Sequence, residues 1–432
     1  MAQHPFLKSI RPVNLLSFGP NTEEIELRAL NFLIGPNGSG KSNLIEIVGL
    51  LSKLPDKDPW STVIQTGGAR EWIWKGKNVE HKTPSLSIVS AGKPYPIERP
   101  NIRSYGEDES GMLNAIKIEP TAFVEKPISY SVSLREQDGS FEVVTERFQE
   151  VDRWENDEIQ PPWFERDGWL GKIENVKMGP DSPERLSSLP PQRSVLSMLG
   201  SANIITGHLF HIQEFAEDIG RFAFYRDWVF GSDSEIRDVQ PVGLDSYRLA
   251  RDSSNFAQVL KAWRDRGEQA VFDKLIALMQ KFYEPIKDVD TELLGTHLRI
   301  MIKEDGLNSR TPASRLSDGT LRWLMLLIVL LDPAPPPVIC IDEPELGLHP
   351  DMLPTLADLL VDASTRTQLI VTTHSDSLLD SFTETPEVVC VCEKVDGSTV
   401  IRRLDKERLK VWLGEYSLGK LWASGEIGGN RW

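Results

Sequence analysis

Leu30-Asn-Phe-Leu-Ile-Gly-Pro-Asn-Gly-Ser-Gly-Lys-Ser-Asn-Leu-Ile-Glu46 is the stretch whose reading decides the fold. Phe32, Leu33 and Ile34 form an apolar run that reads as a buried strand. The run enters a glycine-rich turn through Gly35, Pro36, Asn37, Gly38, Ser39 and Gly40. It leaves on Lys41, Ser42 and Asn43 at the head of an amphipathic helix. This is G-x-x-x-x-G-K-S in its strand-before, helix-after context, a phosphate-binding loop. The glycines let the backbone curl so that its N–H groups point at a polyphosphate, and the helix adds the positive end of its dipole. Lys41 is placed to reach the β- and γ-phosphates of ATP, and Ser42 to ligate Mg²⁺.

Outward from this loop, Ile10–Ser17, Glu24–Leu27 and Asn31–Ile34 read as short strands. The helix that begins at Lys41 runs to about Leu54 and stops before Pro55. Period-two stretches follow at Pro84–Ser90, Ile97–Ser104, Leu113–Glu119, Ile128–Leu134 and Phe141–Gln149, an antiparallel sheet beside the loop. Residues 150–203 are rich in Pro, Trp and charge and read as an exposed insertion. Its Trp154, Trp163 and Trp169 either stack on bases or pack the insertion onto the body. From Gly207 to Tyr283 the pattern is helical, with Asn255 as an N-cap and a 3.6-period stripe at Val271, Leu275, Leu278 and Phe282. The stripe is too short for a coiled-coil arm. The last third alternates strand and helix (Val338–Ile341, Pro350–Ala363, Gln368–Thr372, Glu387–Glu393), which implies parallel pairing. The expected organisation is an α/β P-loop head with an antiparallel β subdomain. Its parts are an N-terminal lobe at 1–150, an inserted helical and irregular subdomain at 151–309, a C-terminal lobe at 310–404 and a tail at 405–432.

The charge is −16, from 48 basic and 64 acidic residues, which argues against a generally basic nucleic-acid binder while leaving room for a local basic groove. Hydrophobic content is 40% and charged content 26%, ordinary for a soluble domain. No apolar run approaches the roughly 18 residues of a membrane span, and the N-terminus lacks a signal-peptide core, so a cytoplasmic location is expected. Of the three cysteines, Cys390 and Cys392 share a strand face and read as buried thiols, since no further Cys or His lies near them in sequence.

Val338-Ile-Cys-Ile-Asp342-Glu343 is an apolar strand that ends in two carboxylates. Asp342 lies where ligands collect in α/β sheets and is suited to hold Mg²⁺; Glu343 is suited to activate water. His374 follows a second apolar strand and is suited to contact a γ-phosphate. Leu316-Ser317-Asp318-Gly319-Thr320 opens a long apolar helix. Ser317 and Asp318 read either as an ordinary cap or, with Gly319, as a γ-phosphate cradle.

These motifs, in this order, resemble an ABC-type ATPase of the RecF/SMC/OLD group over roughly residues 8–76 and 310–395. Gly35–Ser42 match Walker A, and Asp342-Glu343 match Walker B with its catalytic glutamate. Glu345-Leu-Gly-Leu-His349-Pro350 resembles the D-loop region, and His374 matches the switch histidine. Leu316–Thr320 resembles the LSGGQ signature, with Asp318 and Thr320 as departures. The resemblance implies that Ser317, Asp318 and Gly319 act across a dimer seam on ATP held by another copy, in a homodimer or higher oligomer. It also implies a Q-loop glutamine as a further metal contact, for which Gln65 is the candidate and Gln137, Gln192 and Gln213 are rivals. Within the group the chain is similar to ATPases of bacterial defence loci and to the ATPase subunit of PARIS-type anti-phage systems. Those ATPases are often paired with a separate TOPRIM-type nuclease. The chain ends at Trp432, soon after the last core strand, so any nuclease is expected on a partner. The competing expectations are a RecF-like repair ATPase that binds DNA and a scaffold with ATP as structural glue. The tail, with Trp422, Ile427 and Trp432, either docks a partner or packs on its own domain.

Overall fold

The computed structural model describes residues 5–77, 83–91, 127–151, 162–173, 189–199, 208–226, 228–232, 234–244 and 248–429, with short strand segments at 94–96, 123–125, 154–155, 158–159 and 185–187. In chain order, the elements that build the site begin with β1 (Leu7–Val13), β2 (Ile25–Glu26), β3 (Leu30–Ile34), α1 (Lys41–Lys53) and α2 (Ser61–Gln65). Strands β4 (Ser85–Ser90), β5 (Ile128–Gln137), β6 (Ser140–Glu150), β7 (Phe164–Asp167), β8 (Leu170–Ile173) and β9 (Arg185–Ser187) follow. Next come α3 (His208–Gly220), β10 (Ala223–Tyr225), α4 (Phe256–Asp265), α5 (Gln269–Phe282), β11 (Ile286–Leu294) and β12 (His297–Glu304). The chain closes with α6 (Asp318–Leu331), β13 (Val338–Asp342), α7 (Leu353–Ser364), β14 (Gln368–Thr372), α8 (Asp376–Asp380), β15 (Val389–Val395), β16 (Ser398–Arg403), α9 (Lys406–Leu413) and α10 (Leu418–Ser424).

Two sheets carry the fold. The first has eight strands in the order β9-β8-β7-β6-β5-β4-β1-β2, antiparallel throughout. The second has six in the order β10-β13-β14-β3-β15-β16, parallel except for the last pair. Its central strands are apolar on both faces because both faces are covered. Side chains alternate between two cores along each strand. Phe32, Ile34, Ile339, Ile341, Leu369 and Val371 join the core containing α6 and α7. Leu33, Val338, Cys340, Ile370 and Cys392 join the core containing α1 and the antiparallel sheet.

Among the described residues of 151–309, strands stand beside the helices that the sequence pattern suggests. Strands β7 and β8 extend the antiparallel sheet from β6, and β11 pairs with β12 as a hairpin. The sequence signal was weak because β7 and β8 are four residues each, shorter than any clear period-two pattern. Trp163 is buried and packs on Phe148 and His211, so it fastens the segment to the body, whereas Trp169 is exposed. The expected strands Ile97–Ser104 and Leu113–Glu119 lie outside the described residues, as do the side chain of Trp154 and all of Trp432. The tail packs on its own domain: Trp422 and Ile427 are buried in the core. All three cysteines are buried and free, and burial pushes each thiol pKa up, so these groups stay neutral. Among the described residues, no helix is long and apolar enough to cross a membrane.

Candidate functional site

Parallel register sets three strand ends in one row. Leu33 lies opposite Thr372, and Thr372 lies opposite Asp342. The chain therefore delivers the glycine turn after β3, Asp342-Glu343 at the end of β13 and Thr373-His374 after β14 to the same edge, where α/β sheets bind ligands. No single strand carries the site, and β14 separates the glycine turn from the acidic pair.

The turn is held by close backbone packing. Gly40 has φ +105°, and a Cβ there would stand 2.1 Å from Thr399 Oγ1. Thr399 Oγ1 donates toward Ser39 O at 2.8 Å and lies 2.6 Å from Ser17 Oγ, tying the turn to β16 and to the loop after β1. Gly38 faces open space and, with Asn37, is exposed. Lys41 is buried and donates from Nζ to Gly35 O at 2.7 Å and Pro36 O at 3.0 Å. Burial lowers its pKa, while the Glu343 and Asp342 carboxylates pull the other way. Ser39 Oγ is buried with no hydrogen-bond partner, an orphaned polar group inside the turn. Ser42 and Asn43 follow in the first turn of α1, half-buried. An orphaned hydroxyl, a lysine turned onto replaceable carbonyls and an open backbone at Gly38 together fit a polyphosphate.

Asp342 Oδ1 accepts a hydrogen bond from Thr372 Oγ1. Glu343 has φ +46°, rare for a side chain with a Cβ, and is held there because its N–H donates to Thr372 O at 3.1 Å and Thr372 Oγ1 at 3.2 Å. His374 Nε2 lies 3.6 Å from Glu343 Oε1. Glu345 buttresses the histidine: its Oε1 accepts from Thr373 Oγ1 at 2.6 Å and from the His374 N–H at 3.0 Å. Burial raises the Glu345 pKa, and its other oxygen has no hydrogen-bond partner. His349, in the same loop, is exposed and caps the short turn after it.

Ser317 is the N-cap of α6, accepting from Thr320 N at 3.1 Å. Ser317 and Asp318 are exposed. A Cβ at Gly319 would stand 3.1 Å from Gly347 O, so the helix starts against the loop that follows Glu343. In the described structure no hydrogen bond or ion pair joins residues 317–319 to the glycine turn of the same chain. Arg237 staples the segment: it donates to the carbonyls of Leu316 at 2.7 Å, Ser314 at 3.3 Å and Ala313 at 3.4 Å, and pairs with Asp318.

Gln65 is exposed at the end of α2, and no hydrogen bond links it to Asp342 or Ser42. Gln137, Gln192 and Gln213 bond to Asp138, Glu142 and Glu217 instead. The cation beside Asp342 is Arg226, whose Nε lies 3.6 Å from Asp342 Oδ2 and whose Nη1 lies 3.6 Å from Glu46 Oε1. Strand β10 places it, because Tyr225 pairs in register with Ile341 and the next residue falls beside Asp342. The only sequence signal was a three-residue apolar run within a segment read as helical. Among the described residues, no group of three or more His, Cys, Asp or Glu could by itself hold a metal ion. Ser42 and Asp342 would share an ion with the phosphates, as Mg²⁺ sites commonly do.

A phosphate turn, an acidic pair and a histidine on one sheet edge, with the serine-capped start of α6 exposed, define an ABC-type P-loop ATPase head. The chain belongs to the AAA-domain family described as "AAA domain, putative AbiEii toxin, Type IV TA system", whose sequence model matches residues 30–380. No curated protein matches the chain in sequence. Its fold is similar to that of an Smc head in complex with the C-winged-helix domain of ScpA, at 15% identity and TM-score 0.52, covering 94% of this chain and 100% of that one. It is similar too to an Smc head with an extended coiled coil, bound to the C-terminal domain of ScpA and derived from Pyrococcus furiosus. There the identity is 14% and the TM-score 0.51, covering 95% of this chain and 99% of that one.

Proposed function

We propose that this protein is a Mg²⁺-dependent ATPase that closes head to head, as a homodimer or higher oligomer, and signals to a separate effector in anti-phage defence, with a TOPRIM-type nuclease as the expected partner. The observation that carries the reading is the division of the site. Lys41, Asp342, Glu343 and His374 converge within one chain, while Ser317 and Asp318 are exposed and Gly319 half-buried beside them, all three unbonded to that chain's own turn.

Lys41 exchanges the Gly35 and Pro36 carbonyls for β- and γ-phosphate oxygens. Backbone N–H groups of residues 37–43 and the Ser39 hydroxyl complete the cradle. Ser42 and Asp342 would hold Mg²⁺, which would offset phosphate charge. Glu343 accepts the proton of the attacking water, and His374 keeps Glu343 aimed while facing the γ-phosphate. Ser317 and Gly319 of a second copy close the site, so that ATP adds contacts only the closed form makes. The described Smc heads bind another protein, which supports an effector contact here; α9 buries none of its residues fully and exposes Val411 and Trp412.

The test pairs Glu343→Gln with Lys41→Ala. Loss of a general base costs about 10²–10⁴-fold in turnover. Glu343→Gln is expected to lose that much and to stay associated with ATP in sedimentation, whereas Lys41→Ala neither binds ATP nor associates. Wild-type turnover in Glu343→Gln would overturn the general-base assignment, and a monomer in ATP would overturn the closure.

A further inference from the structure

Behind the phosphate turn, α1, α2 and the segment 220–226 enclose a cleft of 600 Å³. Its charge is opposite to that of the whole molecule. Among the described residues, Arg221, Arg226, Arg248, Arg251 and Lys53 line it against the single carboxylate of Glu46, in a chain of net charge −16. Asp218 lies 3.7 Å from Arg221, and Arg248 Nη1 donates to Arg221 O at 3.4 Å. The Nε atoms of Arg221 and Arg226 are buried without a hydrogen-bond acceptor. Trp72, Phe222 and Tyr225 line its base as buried core side chains, and the half-buried Phe224 presents an aromatic face. A cationic mouth in an acidic protein concentrates anions, and an aromatic face accepts a base. The volume is that of a small-molecule site.

We infer that this cleft is a second nucleotide site, taking a nucleoside monophosphate, and that it controls the ATPase site through Arg226. The coupling is geometric. Arg226 lines the cleft and at the same time stands 3.6 Å from Asp342, the carboxylate proposed to hold Mg²⁺. A phosphate in the cleft competes with Asp342 for that guanidinium and leaves the carboxylate available to the metal. The control rests on the proposed ATPase function; the binding site does not.

The experiment uses the full chain carrying Lys41→Ala, which removes phosphate binding at the glycine turn, titrated with AMP by calorimetry. One AMP per chain is expected, with affinity at least tenfold weaker when Arg221→Gln and Arg251→Gln are added and the melting temperature is kept. In the chain without Lys41→Ala, AMP is expected to raise ATP turnover several-fold, and Arg226→Gln to abolish that response while AMP still binds. Absence of AMP binding in Lys41→Ala overturns the site, as does unchanged affinity in the double arginine variant. Binding of a 5′-phosphorylated decathymidylate that is lost in the double arginine variant, in a chain that binds no AMP, would show that the cleft holds a nucleic-acid strand and would also overturn it. AMP binding without any change in turnover would refute the control through Arg226. Failure of the ATPase reading would appear in Glu343→Gln and leave the calorimetry untouched.

Discussion

Arg237→Ala tests whether the outward-facing helix start is a built device or an ordinary cap. The Arg237 side chain is only 12% exposed. It donates to Phe230 O at 2.9 Å and Leu316 O at 2.7 Å, with two longer contacts at 3.3 and 3.4 Å to Ser314 and Ala313. Hydrogen bonds from a charged donor contribute about 1.5–3 kcal/mol each, and two are well formed. The Asp318 pair adds little, since that carboxylate is 65% exposed and regains water. Water entering the vacated space recovers part of the loss, leaving a cost of about 3 kcal/mol. For a chain of 432 residues the unfolding entropy is about 0.9 kcal/mol per kelvin, so the melting temperature is expected to fall by about 3 °C. The functional loss should exceed what that fall explains, because the released loop carries Ser317 and Gly319. ATP-dependent association of Glu343→Gln, measured by sedimentation, is expected to weaken at least tenfold when Arg237→Ala is added. Arg237→Lys should fall between, because an ammonium cannot fork across several carbonyls. Unchanged melting and unchanged association in Arg237→Ala would refute the reasoning. A melting loss with full association would show that the staple supports the fold alone.

Gly40→Ala should abolish binding of a fluorescent ATP analogue, because its Cβ would stand 2.1 Å from Thr399 Oγ1 at φ +105°. Gly38→Ala, with open space around it at φ +75°, should carry only backbone strain of about 1–2 kcal/mol and retain measurable binding; equal loss in both would point away from packing as the cause. Glu345→Gln probes the buried buttress behind His374. Burial raises the Glu345 pKa, so the fold favours its protonated form. Its contribution to stability is therefore fully present below the ordinary carboxylate pKa of about 4.3 and is lost as pH rises through the raised folded value. Urea midpoints across that range should decline more steeply for the parent than for Glu345→Gln, and parallel profiles would refute the assignment.

The glycine turn, the acidic pair and the histidine were legible in the chain because each is a local pattern: an apolar strand that ends in chemistry. Parallel pairing was legible too, from the alternation of strands with helices in the last third. Arg226 was not, since its strand is three residues long and its meaning comes only from lying beside Ile341, more than a hundred positions away. The cleft behind α1 was hidden for the same reason: its arginines are scattered through an acidic sequence and acquire a common sign only when 220–226 and 248–251 are folded together. The segment 162–173 read as an insertion because its strands borrow their pairing partner from β6 rather than from a neighbouring repeat of their own pattern. Sequence by itself determined which residues are suited to bind phosphate and proposed to activate water, because those properties reside in side chains and short turns. Tertiary structure decided which of them share one edge, what stands beside Asp342 and that only the first residues of α6 are left exposed, because strand register and long-range packing set distances that no local pattern encodes.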